Sequence, residues 1–145
     1  MCMALYVASD ELLEGPPYRE SSPGFNLQQL SESDDRVRGQ FSKPRVVYLG
    51  AHTGCSCGFS YGQSTPESEE EVQEERKGQA SVRALRDFLE RQLARVPEVE
   101  LFACWEGDEG VAPEQRLTVT PDYFGGESFD LPEKAFFTVG RRTSP

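Results

Sequence analysis

The sequence predicts a single domain over residues 1–145 of the α+β class, or a small α/β domain. We expect a mixed sheet of about five strands and one principal amphipathic helix. Three observations carry this prediction: a length of 145 residues, short apolar runs typical of strands, and one long segment with helical periodicity. Hydrophobic residues make up 37% of the chain and charged residues 28%, which favours a folded core over disorder.

The first strands are predicted from short runs of apolar residues. Ala4–Ala8 is rich in strand formers and starts close to the beginning of the sequence. Val46–Leu49 is apolar on both faces, which indicates a central position in the sheet. Residues 25–30 fit either a strand or a helical turn, because their apolar side chains satisfy both spacings. Residues 31–38 are polar, and we expect them to be exposed.

The principal helix is predicted at Ser81–Val96, where apolar side chains lie on one face and charged side chains on the other. The apolar face consists of Val82, Leu85, Phe88, Leu89, Leu93 and Val96. Pro97 ends the helical pattern. Further strands are predicted at Val99–Trp105, around Leu117–Val119 and at Ala135–Val139.

Residues 63–80 form an acidic segment that fits either an exposed helix or a solvated linker. Its glutamates are concentrated at positions 67, 69, 70, 71, 74 and 75. These six carboxylates make up more than half of the formal net charge of −10, so the acidity of the protein is largely local. Thr65-Pro66 resembles the start of a helix.

Charge and composition exclude several classes of function. A net charge of −10 repels phosphate backbones and anionic lipid surfaces, so we expect neither nucleic acid nor a membrane as a partner. No apolar stretch approaches the roughly 20 residues that span a bilayer. The N-terminus lacks the pattern of a signal peptide, and four cysteines are too few for a secreted disulfide scaffold. We therefore expect a cytoplasmic protein with reduced thiols.

The predicted order of elements places two loops together. If strands 46–49 and 99–105 are parallel and joined through the helix, the loops that follow them lie at one edge of the sheet. Ligands of open sheets bind at such edges. The residues that would share this rim are His52, Cys55 and Cys57 from one loop and Glu106, Asp108 and Glu109 from the other.

The first of these loops contains the main chemical motif, His52-x-x-Cys55-x-Cys57, between regularly spaced glycines. Imidazole and thiolate are zinc ligands, and zinc prefers four of them. Cys104 is the natural fourth ligand if its strand runs beside the loop, and Cys2 is the second choice. The paired Cys-x-x-Cys clusters of common structural zinc sites are missing, so the motif alone is weak evidence.

Two other interpretations of the same thiols stay open. A Cys-x-Cys pair can carry out redox chemistry, or one thiol can act as a nucleophile with His52 as its base, provided that its pKa is lowered. Alternatively the thiols only pack, since unpaired cysteine behaves as a small apolar residue. Packing is the expected role of Cys104, which lies between apolar residues of a strand. Whether the protein is an enzyme stays open.

A serine hydrolase is excluded. Gly54–Gly58 and Gly58–Gly62 both match the Gly-x-Ser-x-Gly motif, but that motif requires a strand directly before it and a helix directly after it. His52 is the only histidine and precedes both serines, whereas the triad of that fold has its histidine after the serine. Acidic residues in a glycine-flanked turn such as 106–110 are expected to be solvated.

Two functional hypotheses follow. The first is a small cytoplasmic protein that uses the His52–Cys57 loop for thiol-based metal binding, with zinc as the candidate ion, or for redox work. The second is a non-catalytic interaction module that binds a basic protein partner, as immunity proteins do, because charge complementarity speeds association. Residues 67–75 would then be the candidate contact.

Overall fold

The computed structural model describes residues 2–141, which form an α+β domain with a six-stranded mixed sheet and one long helix. This confirms the predicted fold class, with one strand more than expected. The strands are β1 (Met3–Ser9), β2 (Asn26–Gln28), β3 (Arg45–Gly50), β4 (Glu98–Trp105), β5 (Gln115–Val119) and β6 (Ala135–Gly140). The helix α1 spans Glu69–Leu93, and short 3-10 helices lie at Glu32–Gln40, Ser56–Gly58 and Pro121–Tyr123.

The strand order in the sheet is β2-β3-β1-β4-β6-β5. Neighbouring strands are antiparallel, except for the parallel pair β5–β6. β1 is central, and its Leu5 lies opposite Leu49 of β3 on one side and Ala103 of β4 on the other. β3 and β4 therefore run in the same direction but are separated by β1. The ends of β3 and β4 and the beginning of β1 meet at one edge of the sheet.

The helix α1 begins twelve residues before the predicted Ser81, so the acidic segment is helical from Glu69 onward. The Ser68 hydroxyl caps the helix by accepting a hydrogen bond from the Glu71 N–H, and three glutamates in the first turn complement the helix dipole. The apolar stripe that predicts the helix starts only at Val82, because the first three turns are mostly exposed. Within residues 2–141, none of the helices combines the length and the apolar character that a membrane span requires.

Two apolar layers pack on the two faces of the sheet. On one face α1 contributes Leu85, Phe88 and Leu89, which pack over a layer of buried strand residues that includes Leu5, Leu101 and Phe137. On the other face the 3-10 helix Glu32–Gln40 inserts Val37 over a second layer, which consists of Ala4, Tyr6, Ala8, Val46, Phe102, Cys104 and Phe136. The expectation that residues 31–38 are exposed is therefore wrong at Val37. This one apolar side chain attaches the otherwise polar 3-10 helix to the sheet.

Candidate thiol site

The glycine-spaced loop after β3 is a compact turn closed by backbone hydrogen bonds. The Ala51 N–H donates to the Cys55 carbonyl oxygen at 3.0 Å, and the Gly54 N–H donates to the Ala51 carbonyl oxygen at 2.9 Å. Gly54 has a φ of +85°, which a residue with a Cβ rarely adopts. This turn returns the chain to the edge of the sheet directly after β3 ends.

Ser56 fastens the turn to the two central strands. Its buried hydroxyl donates to the Leu49 carbonyl oxygen at 2.6 Å and accepts from the Leu5 N–H at 2.8 Å. Its own N–H donates to the Tyr48 hydroxyl at 2.9 Å. The serine of the first Gly-x-Ser-x-Gly match is therefore a structural link, and the cysteines on either side of it are held in place.

Three thiols converge at this edge. The Sγ atoms of Cys2, Cys55 and Cys57 all lie within 4.8 Å of one another, and within residues 2–141 this is the one such group of three possible metal ligands. Cys2 joins the group because it directly precedes β1, whose first residue, Met3, donates its N–H to the Cys57 Sγ at 3.2 Å. The three thiols could bind a metal ion.

The structure places His52 away from these thiols. Its Nδ1 lies 3.1 Å from the Ser81 hydroxyl, and its Nε2 lies 3.2 Å from a Glu74 carboxylate oxygen. Both partners belong to α1, so that His52 connects the loop to the helix. The hydrogen bond with His52 is the main reason that the pKa of the Glu74 carboxyl is below its ordinary value. His52 is therefore not part of the group of three thiols.

Cys104 lies on the face of the sheet beneath the 3-10 helix Glu32–Gln40, where it is fully buried among apolar side chains. Burial raises the pKa of its thiol to about 12, and the charges of Glu109, Asp108 and Asp34 add to the shift. A thiol that stays protonated among apolar neighbours packs in the core, as expected. The structure therefore does not bring Cys104, the first choice for a fourth ligand, to the other three.

The two loop thiols differ in acidity. Burial acts to raise the pKa of the Cys55 thiol, but hydrogen bonds from Thr53, Cys57 and Cys2 outweigh it and hold the pKa below its ordinary value. Desolvation raises the pKa of the Cys57 thiol to about 12, despite the exposed position of the residue as a whole. Hydrogen bonds with Cys2 and Cys55 increase that shift, whereas the Met3 N–H opposes it. Cys55 is therefore the more acidic of the two.

The acidic residues of the predicted rim take three different positions. Glu106 shares with Cys55 the lining of a pocket of about 370 Å³, and Asp108 lines a neighbouring cleft beside Trp105. Glu109 is buried, and it accepts hydrogen bonds from the Tyr6 hydroxyl at 3.3 Å and the Gly107 N–H at 3.1 Å. The expectation of a solvated turn is wrong for Glu109, because these donors and Arg36 satisfy its carboxylate.

The pocket beside Cys55 is polar and acidic. Tyr6 and Tyr48 contribute hydroxyl groups, and Asp34 and Glu106 contribute carboxylates. Burial, followed by the charges of Asp34 and Glu109, raises the pKa of the Tyr6 hydroxyl far above its ordinary value. The hydroxyl therefore stays protonated, and its single hydrogen is shared between the Asp34 carboxylate at 3.1 Å and the Glu109 carboxylate at 3.3 Å.

The sequence favours Cys104 over Cys2 as the partner of the loop thiols, whereas the structure brings Cys2 to them. The signal that favours Cys2 is its position directly before a strand, but it becomes informative only once β1 is known to lie antiparallel beside β3.

Comparison of the chain with protein-family models, with curated proteins and with solved structures finds no match.

Proposed function

We propose that the protein binds a thiophilic metal ion, with zinc as the first candidate, through Cys2, Cys55 and Cys57. The observation that carries the proposal is the convergence of three sulfur atoms from two distant chain segments within 4.8 Å of one another. In a tetrahedral site with Zn–S bonds of about 2.3 Å, neighbouring sulfurs lie about 3.8 Å apart. The cluster therefore needs to contract only slightly, and Ser56 already holds the turn against β1 and β3.

Three thiolates leave one zinc coordination position for water or for a ligand atom from the adjoining pocket. Cu(I) is the main competitor, because thiolates also select this soft ion. Cys55 lines the pocket of about 370 Å³, so an exchangeable fourth ligand would approach from that side. This arrangement resembles zinc sites with an open position more than it resembles closed structural sites.

The test is metal reconstitution of the full chain under reducing conditions, with Zn²⁺ and Cu(I) added separately and stoichiometry read by native mass spectrometry. We expect one ion per chain, and we expect Cys55→Ser and Cys2→Ser to lose it. Cys104→Ala is the matched control, because it removes a thiol outside the cluster and should keep the ion. The proposal fails if the wild-type protein binds neither ion, or if Cys104→Ala abolishes binding as Cys55→Ser does.

Thiol–disulfide exchange is a second candidate for the same cluster, favoured by the difference in acidity between Cys55 and Cys57. The Cys55 thiolate would attack a substrate disulfide, form a mixed disulfide and release one substrate thiolate, which takes a proton from water. The thiolate of Cys2 or Cys57 would then attack the Cys55 sulfur and release the second substrate thiol. Two electrons pass to the substrate, and an internal disulfide remains.

Alkylation of the metal-free protein tests this exchange. At neutral pH iodoacetamide should modify Cys55 first, and mild oxidation should form a disulfide that contains Cys55. Cys104 provides the internal reference, because its buried thiol should react last. Equal and slow alkylation of all four thiols would exclude the exchange reaction while leaving the metal proposal to its own test.

A basic protein partner is a separate candidate that the acidic start of α1 supports. An open cleft beside its first two turns is lined by Glu70, Glu71, Glu74 and Glu75. Because electrostatic association weakens with salt, capture of a basic protein should decline steeply with ionic strength. It should also be lost when these four residues are replaced by glutamine. Capture that is unaffected by ionic strength and by the four substitutions would contradict this candidate.

A further inference from the structure

A small pocket between α1 and the segment after β5 is lined by two arginines that have no acidic partner among residues 2–141. Its volume is about 170 Å³, and the polar groups that line it come from Gln79, Arg83 and Arg86 of α1 and from Tyr61, Gly125 and Gly126. In the part of the chain that the structure describes, neither arginine side chain forms an ion pair or a hydrogen bond. In a chain with a net charge of −10, two guanidinium groups that line one pocket without a carboxylate from the described segments are unexpected.

The two arginines are neighbours on the helix. They are three residues apart, so their side chains extend from the same face, and like charges at this spacing repel each other. Arg83 is exposed, whereas Arg86 is half-buried and therefore partly removed from the water that would screen it. An anion between them would relieve this repulsion.

Gly125 provides room for the deeper arginine. A Cβ at this position would lie only 2.8 Å from Nη1 of Arg86, and the φ of +147° also disfavours a side chain. The Tyr61 hydroxyl donates to the Gly126 carbonyl oxygen at 2.7 Å and fixes the glycine segment from the other side. The position of the Arg86 guanidinium therefore depends on a glycine and on an anchored turn.

We propose that this pocket binds a small oxyanion, namely a phosphate group or a carboxylate, through Arg83 and Arg86. The guanidinium group presents parallel N–H donors that match two oxygens of such an anion. The volume of about 170 Å³ corresponds to about six water molecules at roughly 30 Å³ each, which is enough for a group of four or five heavy atoms. It is smaller than the roughly 300 Å³ at which pockets for drug-sized ligands begin. The pocket therefore accommodates the anionic group of a ligand and leaves any remainder outside.

This site is separate from the thiol cluster, because none of the residues that line it is one of the three cysteines. The test is a titration of the ¹⁵N-labelled full chain with inorganic phosphate and, separately, with acetate, at constant ionic strength. We expect saturable shifts of the Gly125 and Gly126 amides and of the Arg86 Nε–H. The anion with the lower dissociation constant identifies the preferred group, and a value of about 1 mM is easily measured in this way.

Three variants decide the result. Arg86→Gln should weaken binding at least about tenfold through the loss of charge-assisted hydrogen bonds. Arg86→Lys keeps the charge but loses the planar donors, so it should fall between Arg86→Gln and the wild type. Arg91→Gln removes the same charge from an exposed position on α1 outside the pocket and should change binding less than about twofold, as distant surface charges are screened. The proposal is overturned if neither anion gives saturable shifts, or if Arg91→Gln weakens binding as much as Arg86→Gln.

Discussion

The N–H of Met3 donates a hydrogen bond to the Sγ of Cys57, with 3.2 Å between the nitrogen and the sulfur. This bond joins the first residue of β1 to the turn that follows β3, more than fifty residues along the chain. It also explains where Cys2 lies, because the residue before Met3 must emerge beside the loop thiols. The thiol cluster thus depends on the insertion of β1 between β3 and β4.

Ser56→Ala should destabilise the protein. The substitution leaves the buried Leu5 N–H and the Leu49 carbonyl oxygen without their partner, and an unsatisfied buried polar group costs about 1–3 kcal/mol. Urea unfolding of the metal-free protein would show the loss as a lower midpoint. Ser60→Ala is the control, since Ser60 is less buried and its hydroxyl has no hydrogen bond to the central strands in the part of the chain that the structure describes. Equal midpoints for the two variants would contradict the structural role of Ser56.

Metal affinity should rise with pH. The Cys57 thiol, with a pKa raised to about 12, is protonated in the free protein throughout the range from pH 6 to 8. Binding must therefore release this proton, and the logarithm of the apparent association constant should increase by at least about one per pH unit. Competition with a chromophoric chelator measures this slope. A flat profile would show that Cys57 is not a ligand.

The principal strands and the helix could be predicted because each carries a local signal. Val46–Leu49 is a continuous apolar run, and the stripe that begins at Val82 has helical spacing. The first turns of α1 lack such a stripe, since they are held by the Ser68 cap and by polar contacts such as that of His52 with Glu74 rather than by the core. The spacing of apolar residues cannot reveal a helical segment that buries few side chains.

The membership of the thiol cluster could be predicted only in part. Cys55 and Cys57 are close in sequence, so their proximity is local information. Cys2 reaches them through the pairing of β1 with β3, and Cys104 turns to the opposite face through its register opposite Ala4. Pairing and register are long-range properties that the local pattern of residues does not reveal. The burial of Glu109 likewise depends on residues distant in sequence, because its carboxylate contacts Tyr6 and Arg36.

Cys104 should make the protein less stable in alkaline solution. Its folded-state pKa of about 12 lies above the ordinary thiol value of about 8.5, so the folded state retains a proton that the unfolded state loses. The stabilisation is complete below pH 8.5 and declines as the pH rises from there towards 12. Cys104→Ala should flatten this decline by up to about 1.4 kcal/mol per pH unit. Unfolding free energies at several alkaline pH values test this, and parallel curves would contradict it.

His52→Ala should leave the thiol site intact while loosening the contact between the loop and α1. The imidazole contacts Ser81 and Glu74 and lies outside the group of three sulfurs, so the affinity for the metal should change less than about twofold, as expected for a group that makes no bond to the ion. Without its hydrogen bond to His52, the Glu74 carboxyl should regain a higher pKa, which ¹³C NMR titration of the glutamate side chains can follow. The amides of the first turns of α1 should also exchange faster with solvent, because the loop no longer holds them.

Loss of the metal in His52→Ala, at an unchanged unfolding midpoint, would instead make His52 the missing fourth ligand. His52→Gln is the companion variant, since its amide can still bond to Ser81 or Glu74 and should preserve the slow exchange.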